Sequence, residues 1–114
     1  MDFNLDVEYR GDLSIVKIFG DVDISTAPHL DACLQEIIAA GYTRLAIDLE
    51  NCRYFDSEGL KTLIRIRKSA GEPGRIAICG ARGMVSRMFQ ISGLDAVFSI
   101  LPTVDDLNLS DSGM

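Results

Sequence analysis

Apolar positions follow two rhythms along this chain. Phe3, Leu5, Val7 and Tyr9 alternate with Asn4, Asp6, Glu8 and Arg10, a period of two that predicts a strand with one wet face. Gly11-Asp12 offers a short turn, and residues 13–19 (Leu-Ser-Ile-Val-Lys-Ile-Phe) read as a second strand, so a hairpin is expected. The rhythm then changes. Leu30, Cys33, Leu34, Ile37 and Ile38 form one apolar face at helical spacing. Ser25 or Thr26 can cap that helix, Pro28 suits its first turn, and Gly41 stops it.

Leu45-Ala46-Ile47-Asp48-Leu49 is a mostly apolar run of strand length between Arg44 and Glu50. Tyr54-Phe55-Asp56-Ser57-Glu58-Gly59-Leu60 hands it over to a helix predicted at 57–70. In that helix Leu60, Leu63, Ile64, Ile66 and Ala70 are set among Lys61, Arg65, Lys68 and Ser69. Asp56 or Ser57 is its natural N-cap. Gly71-Glu72-Pro73-Gly74 predicts a turn, and residues 75–79 a short buried strand. Gly80-Ala81-Arg82-Gly83 leads into a third helix with Met84, Val85, Met88 and Phe89 on its core side. Gly93 is its expected left-handed terminator, with Leu94 folding back on Phe89. Residues 96–101 predict a last strand, Pro102 interrupts it, and 104–109 predict one helical turn. The expected fold is therefore α/β, a mixed sheet with an N-terminal hairpin and alternating helices joined by crossovers. One domain is expected over 1–109, with a flexible tail at 110–114.

Composition narrows the function. A chain of 114 residues can bury one core without staples. No apolar run approaches the ~20 residues that span a bilayer, and the first residues lack the basic and apolar regions of a signal peptide. A cytoplasmic protein with no membrane insertion is expected. Cys33, Cys52 and Cys79 are far apart and odd in number, which favours packing over a disulfide framework or zinc site. A net charge of −6 argues against nucleic acid as a direct ligand. Acidic residues crowd the first third, and most basic ones follow residue 60, a distribution compatible with steering toward a charged protein. Asp21 and Asp23 have no third ligand near them in sequence, so a loop surface is expected there and no metal. His29, the only histidine, falls in a first helical turn and reads as exposed or partner-facing.

The simplest reading of Asp56-Ser57 is a helix cap. The same helix end carries partial positive charge and free donors, so it can also hold a phosphate. Ser57 is not in a Gly-x-Ser-x-Gly elbow, and Gly80-Ala81-Arg82-Gly83 is neither a dinucleotide fingerprint nor a P-loop. A phosphoacceptor receiver domain would need a Lys near its last strand, and residues 95–104 contain none. An enzyme is not expected, and no cofactor is implied.

Three stretches together resemble one family. Gly20-Asp21-Val22-Asp23 followed by Thr26-Ala27-Pro28 and Leu30, Asp56-Ser57-x-Gly59-Leu60, and Val85-Ser86-Arg87-Met88-Phe89 followed by Ser92-Gly93-Leu94 are similar to the STAS anti-sigma factor antagonists, over roughly residues 5–108. The resemblance implies a STAS fold and partner switching. The unphosphorylated antagonist binds an anti-sigma factor that is also a serine kinase, freeing a sigma factor. Phosphorylation releases it, and a serine phosphatase resets it. Ser57 stands in the phosphorylated position. Asp56, Glu58, Gly59, Lys61, Thr62 and Arg65 would form the partner surface with Asp21, Asp23, Ser25 and Thr26. The family usually has a second small hydroxyl residue where this chain has Glu58, which sets a permanent negative charge beside the switch. The alternative within the same fold is a binding subunit of a membrane-transport ATPase, or a signalling scaffold, with no Ser57 switch.

Overall fold

Alternation in residues 3–10, followed by the mostly apolar run 13–19, produces the expected hairpin. In the computed structural model, which describes residues 3–42, 44–70 and 76–107, β1 (Asn4–Arg10) pairs antiparallel with β2 (Leu13–Phe19), Arg10 lying opposite Leu13. The turn predicted at 71–74, the first residue of the strand predicted at 75–79, and the tail predicted at 110–114 lie outside the described residues. β3 (Arg44–Asn51) joins β2 in parallel, followed by β4 (Ile76–Cys79) and β5 (Ser99–Leu101), in the sheet order β1-β2-β3-β4-β5. α1 (Ala27–Ala39), α2 (Ser57–Ala70) and α3 (Gly83–Ser92) supply the three parallel crossovers.

Each crossover steps the same way across the sheet. Right-handed connections then place all three helices on one face, and the packing agrees. Val16, Ile18, Leu45, Ile47, Ile76 and Ile78 share a core with Leu30 and Leu34 of α1, Leu63 and Ile66 of α2, and Val85 and Phe89 of α3. The intervening strand residues face the other way. There Leu13, Ile15, Ala46, Ala77 and Cys79 form a smaller cluster capped by Leu107 of a C-terminal 3-10 turn, Val104–Leu107. One consequence governs the rest: the β2–α1, β3–α2 and β4–α3 loops all emerge at the carboxyl ends of parallel strands, where α/β sheets present their sites.

Three expectations need correction. The strand predicted at 96–101 is confined to Ser99–Leu101. After Gly93 turns left-handed (φ 80°), Ala96 N–H donates to Gly93 O, and Val97 and Phe98 N–H donate to Leu94 O. Those local bonds use the donors a strand would need. On α3, Val85 and Phe89 are buried but Met84 is 65% exposed, because the i, i+4 pair sets the inward face and Met84 lies ~100° around the helix from it. The cap expected from Ser25 or Thr26 is also rearranged. Thr26 occupies the N-cap position of α1 without a side-chain capping bond. Its hydroxyl turns back into the loop, accepting from Asp23 N–H at 2.9 Å and donating to Asp21 O at 2.7 Å.

The cysteines are packing residues. Cys52 and Cys79 are buried and Cys33 half-buried, all as free thiols. Burial pushes the Cys52 thiol up to about 11 and the Cys79 thiol to about 12, far from a reactive thiolate at neutral pH.

Candidate functional site

Backbone bonds draw the β2–α1 and β3–α2 loops into one unit. Val22 bridges to Phe55 in parallel fashion; Val22 N–H donates to Tyr54 O at 2.8 Å, and Asp56 N–H to Val22 O at 3.2 Å. Gly20 N–H reaches Asn51 O at 3.2 Å. A third loop is tied on by Arg82, whose guanidinium donates to Glu50 O at 3.1 Å. Asp48 fixes the end of β3 from below, its buried carboxylate accepting from Glu50 N–H at 3.1 Å. Gly80, with φ 75°, must be glycine there: a Cβ would lie 3.0 Å from both Asp48 Oδ1 and Glu50 N.

The choice between Asp56 and Ser57 as cap is resolved. Asp56 Oδ1 accepts from Glu58 N–H at 2.9 Å, while Asp56 O accepts from Leu60 N–H at 3.1 Å. Ser57 is the first residue of α2 and is exposed. The cap is supplied by its neighbour, so the helix end does not need the Ser57 hydroxyl.

Two residues on, Gly59 is buried. A Cβ there would stand 2.6 Å from Phe55 Cε1 and 2.9 Å from Val22 Cγ1, both on buried side chains. Only glycine lets the first turn of α2 sit this close to the loop pair. Thr62 is likewise buried, its hydroxyl donating to Glu58 O at 3.0 Å. Gly59 and Thr62 therefore support the surface from inside, where the sequence suggested contact residues. Thr26 is buried too and acts on the loop in the same way.

Asp21, Asp23 and Ser25 lie on the β2–α1 loop, and Asp56, Ser57 and Glu58 at the β3–α2 junction that the Val22–Phe55 bridge joins to it. Asp23 organises its own segment: Oδ1 accepts from Ser25 N–H at 2.9 Å, Ser25 Oγ at 2.8 Å and Thr26 N–H at 3.1 Å. The Ser25 hydroxyl bond, with the backbone donors behind it, holds the Asp23 carboxyl below the usual carboxylate value. Lys61 Nζ lies 3.5 Å from Glu58 Oε2. Arg65 stands two turns along α2, ~12 Å from Ser57 along the axis, and faces Asp31 of α1 at 3.9 Å. It is peripheral to the cluster.

Sequence reading missed the apolar component. Ile24 is 75% exposed and Tyr54 42%; they lie on the β2–α1 and β3–α2 loops, and Met84 opens the first turn of α3. Met84 should have been suspect, since it follows Gly83 at the very start of its helix. An 820 Å³ hollow at Met84 is also lined by Asp21, Glu50, Cys52, Arg53 and Arg82, among others. His29 is exposed, 6.3 Å from the Phe3 ring, and lines a different hollow. Among the described residues no group of three His, Cys, Asp or Glu side chains could hold a metal ion, and no helix is long and apolar enough to cross a membrane.

The family model of the STAS domain matches residues 4–107, from the first strand to the C-terminal 3-10 turn. The chain belongs to this family. Among curated relatives, the STAS domain described here is 28% identical to the anti-sigma-F factor antagonist RsfB of Mycobacterium tuberculosis over 94 residues, 82% of this chain and 77% of that protein. The crystal structure of an anti-sigma factor antagonist from Mycobacterium paratuberculosis superposes with a TM-score of 0.84 at 31% identity, covering 92% of this chain and 90% of that one. The phosphorylated form of the Bacillus cell fate determinant SpoIIAA shares the STAS fold at 20% identity, with a TM-score of 0.66 over 93% of this chain and 96% of that chain.

Proposed function

We propose that this STAS domain is an anti-sigma factor antagonist switched by phosphorylation of Ser57. The observation that carries the reading is the division of labour at the start of α2: Asp56 caps the helix, and Ser57 is left exposed where the β3–α2 loop, joined to the β2–α1 loop, enters the helix. The names of the similar proteins point to the same partner class, an anti-sigma factor. In the unphosphorylated state Ile24, Tyr54 and Met84 dock on that partner, while Asp21, Asp23, Asp56 and Glu58 meet basic groups around it. The partner is itself the serine kinase, and transfer of the ATP γ-phosphoryl group to Ser57 Oγ yields ADP and the phosphoserine form. The phosphate adds ~1.5–2 negative charges beside Asp56 and Glu58, inside a surface that must be desolvated to bind. Release follows from local repulsion and needs no refolding. A serine phosphatase restores the binding form.

Capture of the partner by wild type, Ser57→Ala and Ser57→Asp, with and without ATP, tests this reading. Wild type should hold a soluble ATP-binding protein and release it on addition of ATP. Ser57→Ala should hold it regardless of ATP, and Ser57→Asp should bind at least ~tenfold more weakly, the equivalent of ~1.4 kcal/mol. Equal recovery of one partner by all three, whatever the ATP, would instead favour a STAS binding subunit of a transport ATPase or a scaffold.

A further inference from the structure

Lys61 lies one helical turn beyond Ser57, on the same side of α2. Helical side chains lean toward the N-terminus, and that of Lys61 does so: its ammonium reaches back to Glu58 at 3.5 Å. It is nevertheless 64% exposed, so a weak and solvent-screened ion pair is all that holds it there. Arg65, the next cation along α2, is directed toward Asp31, and Lys68, on the same side, lies ~16 Å from Ser57 along the axis. Arg82 is directed toward Glu50 O.

We propose that Lys61 is a positioning residue for the phosphoserine form: the phosphate on Ser57 draws the Lys61 ammonium away from Glu58. This inference rests on Ser57 being the modified residue and concerns how the modified state presents its charge. A phosphate bears more charge than a carboxylate and offers three acceptor oxygens, and residue 57 is at i−4 from Lys61, within the ~5–6 Å Cβ spacing of a helical pair. The exchange has two effects. Part of the phosphate charge is neutralised in place, and the Glu58 carboxylate is uncovered toward the partner. The acidic residue at 58, unusual beside a resemblance that would place a small hydroxyl there, thereby becomes part of the switch.

The test uses full-length protein carrying phosphoserine at 57, installed during translation so that no kinase is required, and reads the phosphate titration by phosphorus NMR at low salt. Charged groups on the elements that meet near Ser57 include Asp56 and Glu58 on its own turn, Asp21 and Asp23 on the β2–α1 loop, Arg53 before Tyr54, and Arg82 at the start of α3. Histidine titrates in the same range, so every variant keeps His29. Lys61→Gln should raise the phosphate midpoint by ~0.2–0.4 pH units, the size an exposed pair one turn apart supports. Lys61→Arg should restore the wild-type midpoint. Lys68→Gln, beyond reach on the same helix, should leave it unchanged. In a Glu58→Gln background the Lys61 effect should grow, because the competitor is gone. Equal midpoints for wild type and Lys61→Gln, an equal shift from Lys68→Gln, or a Lys61 effect indifferent to Glu58 would each overturn the proposal. A kinase that ignores Ser57 would sink the phosphorylation reading and leave this titration intact, so the two failures are distinguishable.

Discussion

At the scale of single residues, the start of α2 divides three requirements among three adjacent kinds of side chain. Asp56 caps, Ser57 stays available, and Gly59 gives the turn its close seat on Phe55 and Val22. Each can be removed separately. Asp56→Ala leaves Glu58 N–H without its partner and should cost ~0.5–2 kcal/mol in urea unfolding, with Ser57 still exposed. Gly59→Ala gains helix propensity, worth up to ~1 kcal/mol. The added methyl, however, would stand 2.6 Å from a ring that is only 1% exposed. Overpacking of ~1–3 kcal/mol should win, giving a lower unfolding midpoint and shifted amide resonances for Val22 and Phe55. A stabilised Gly59→Ala variant would mean that the ring moves aside freely.

The elements were legible in the sequence where one physical signal dominated. The period-two alternation of residues 3–9 specified β1, and Gly93 ended α3 in the left-handed conformation its position demanded. Legibility failed where tertiary geometry decided. Thr26 reads as a cap, yet its hydroxyl is claimed by Asp21 O and Asp23 N–H, a geometry that exists only once the loop has folded over. Thr62 and Gly59 read as surface because nothing local says how closely α2 approaches Phe55. Polar positions of the candidate site stand out in the sequence as loop and cap residues; the exposed Ile24, Tyr54 and Met84 look in sequence like ordinary core. At this scale the β2–α1 loop makes a pH prediction. Asp23 has its folded pKa depressed below the ordinary 3.8. Its contribution is therefore complete above that value and is lost as pH falls through the lower folded value. Ser25 and Thr26 amide resonances should hold steady down to pH ~4 and move below it. Asp23→Asn should abolish that acid step while keeping an acceptor oxygen in place.

For the molecule as a whole, the parallel run of β2, β3 and β4 brings the three strand-to-helix loops to one end of the sheet. On the proposed reading, the surface there would combine two kinds of interaction with separable kinetics. Its carboxylates belong to a chain of net charge −6 and act at a distance, so they should govern how fast a basic partner arrives. Ile24, Tyr54 and Met84 act only in contact, so they should govern how long it stays. Raising ionic strength from ~0.05 to ~0.5 M shortens the screening length well below the size of the surface. Association with the captured partner should then slow by about tenfold or more, with dissociation little changed. Met84→Ala or Ile24→Ala should do the opposite, speeding dissociation about fivefold or more, the threshold at which an interface side chain costs ~1 kcal/mol, while association is preserved. Surface plasmon resonance on the four combinations of salt and variant separates the two. If salt instead changed only the dissociation rate, the acidic groups would be acting in desolvated contact with the partner, and the exposed apolar side chains would not be its anchors.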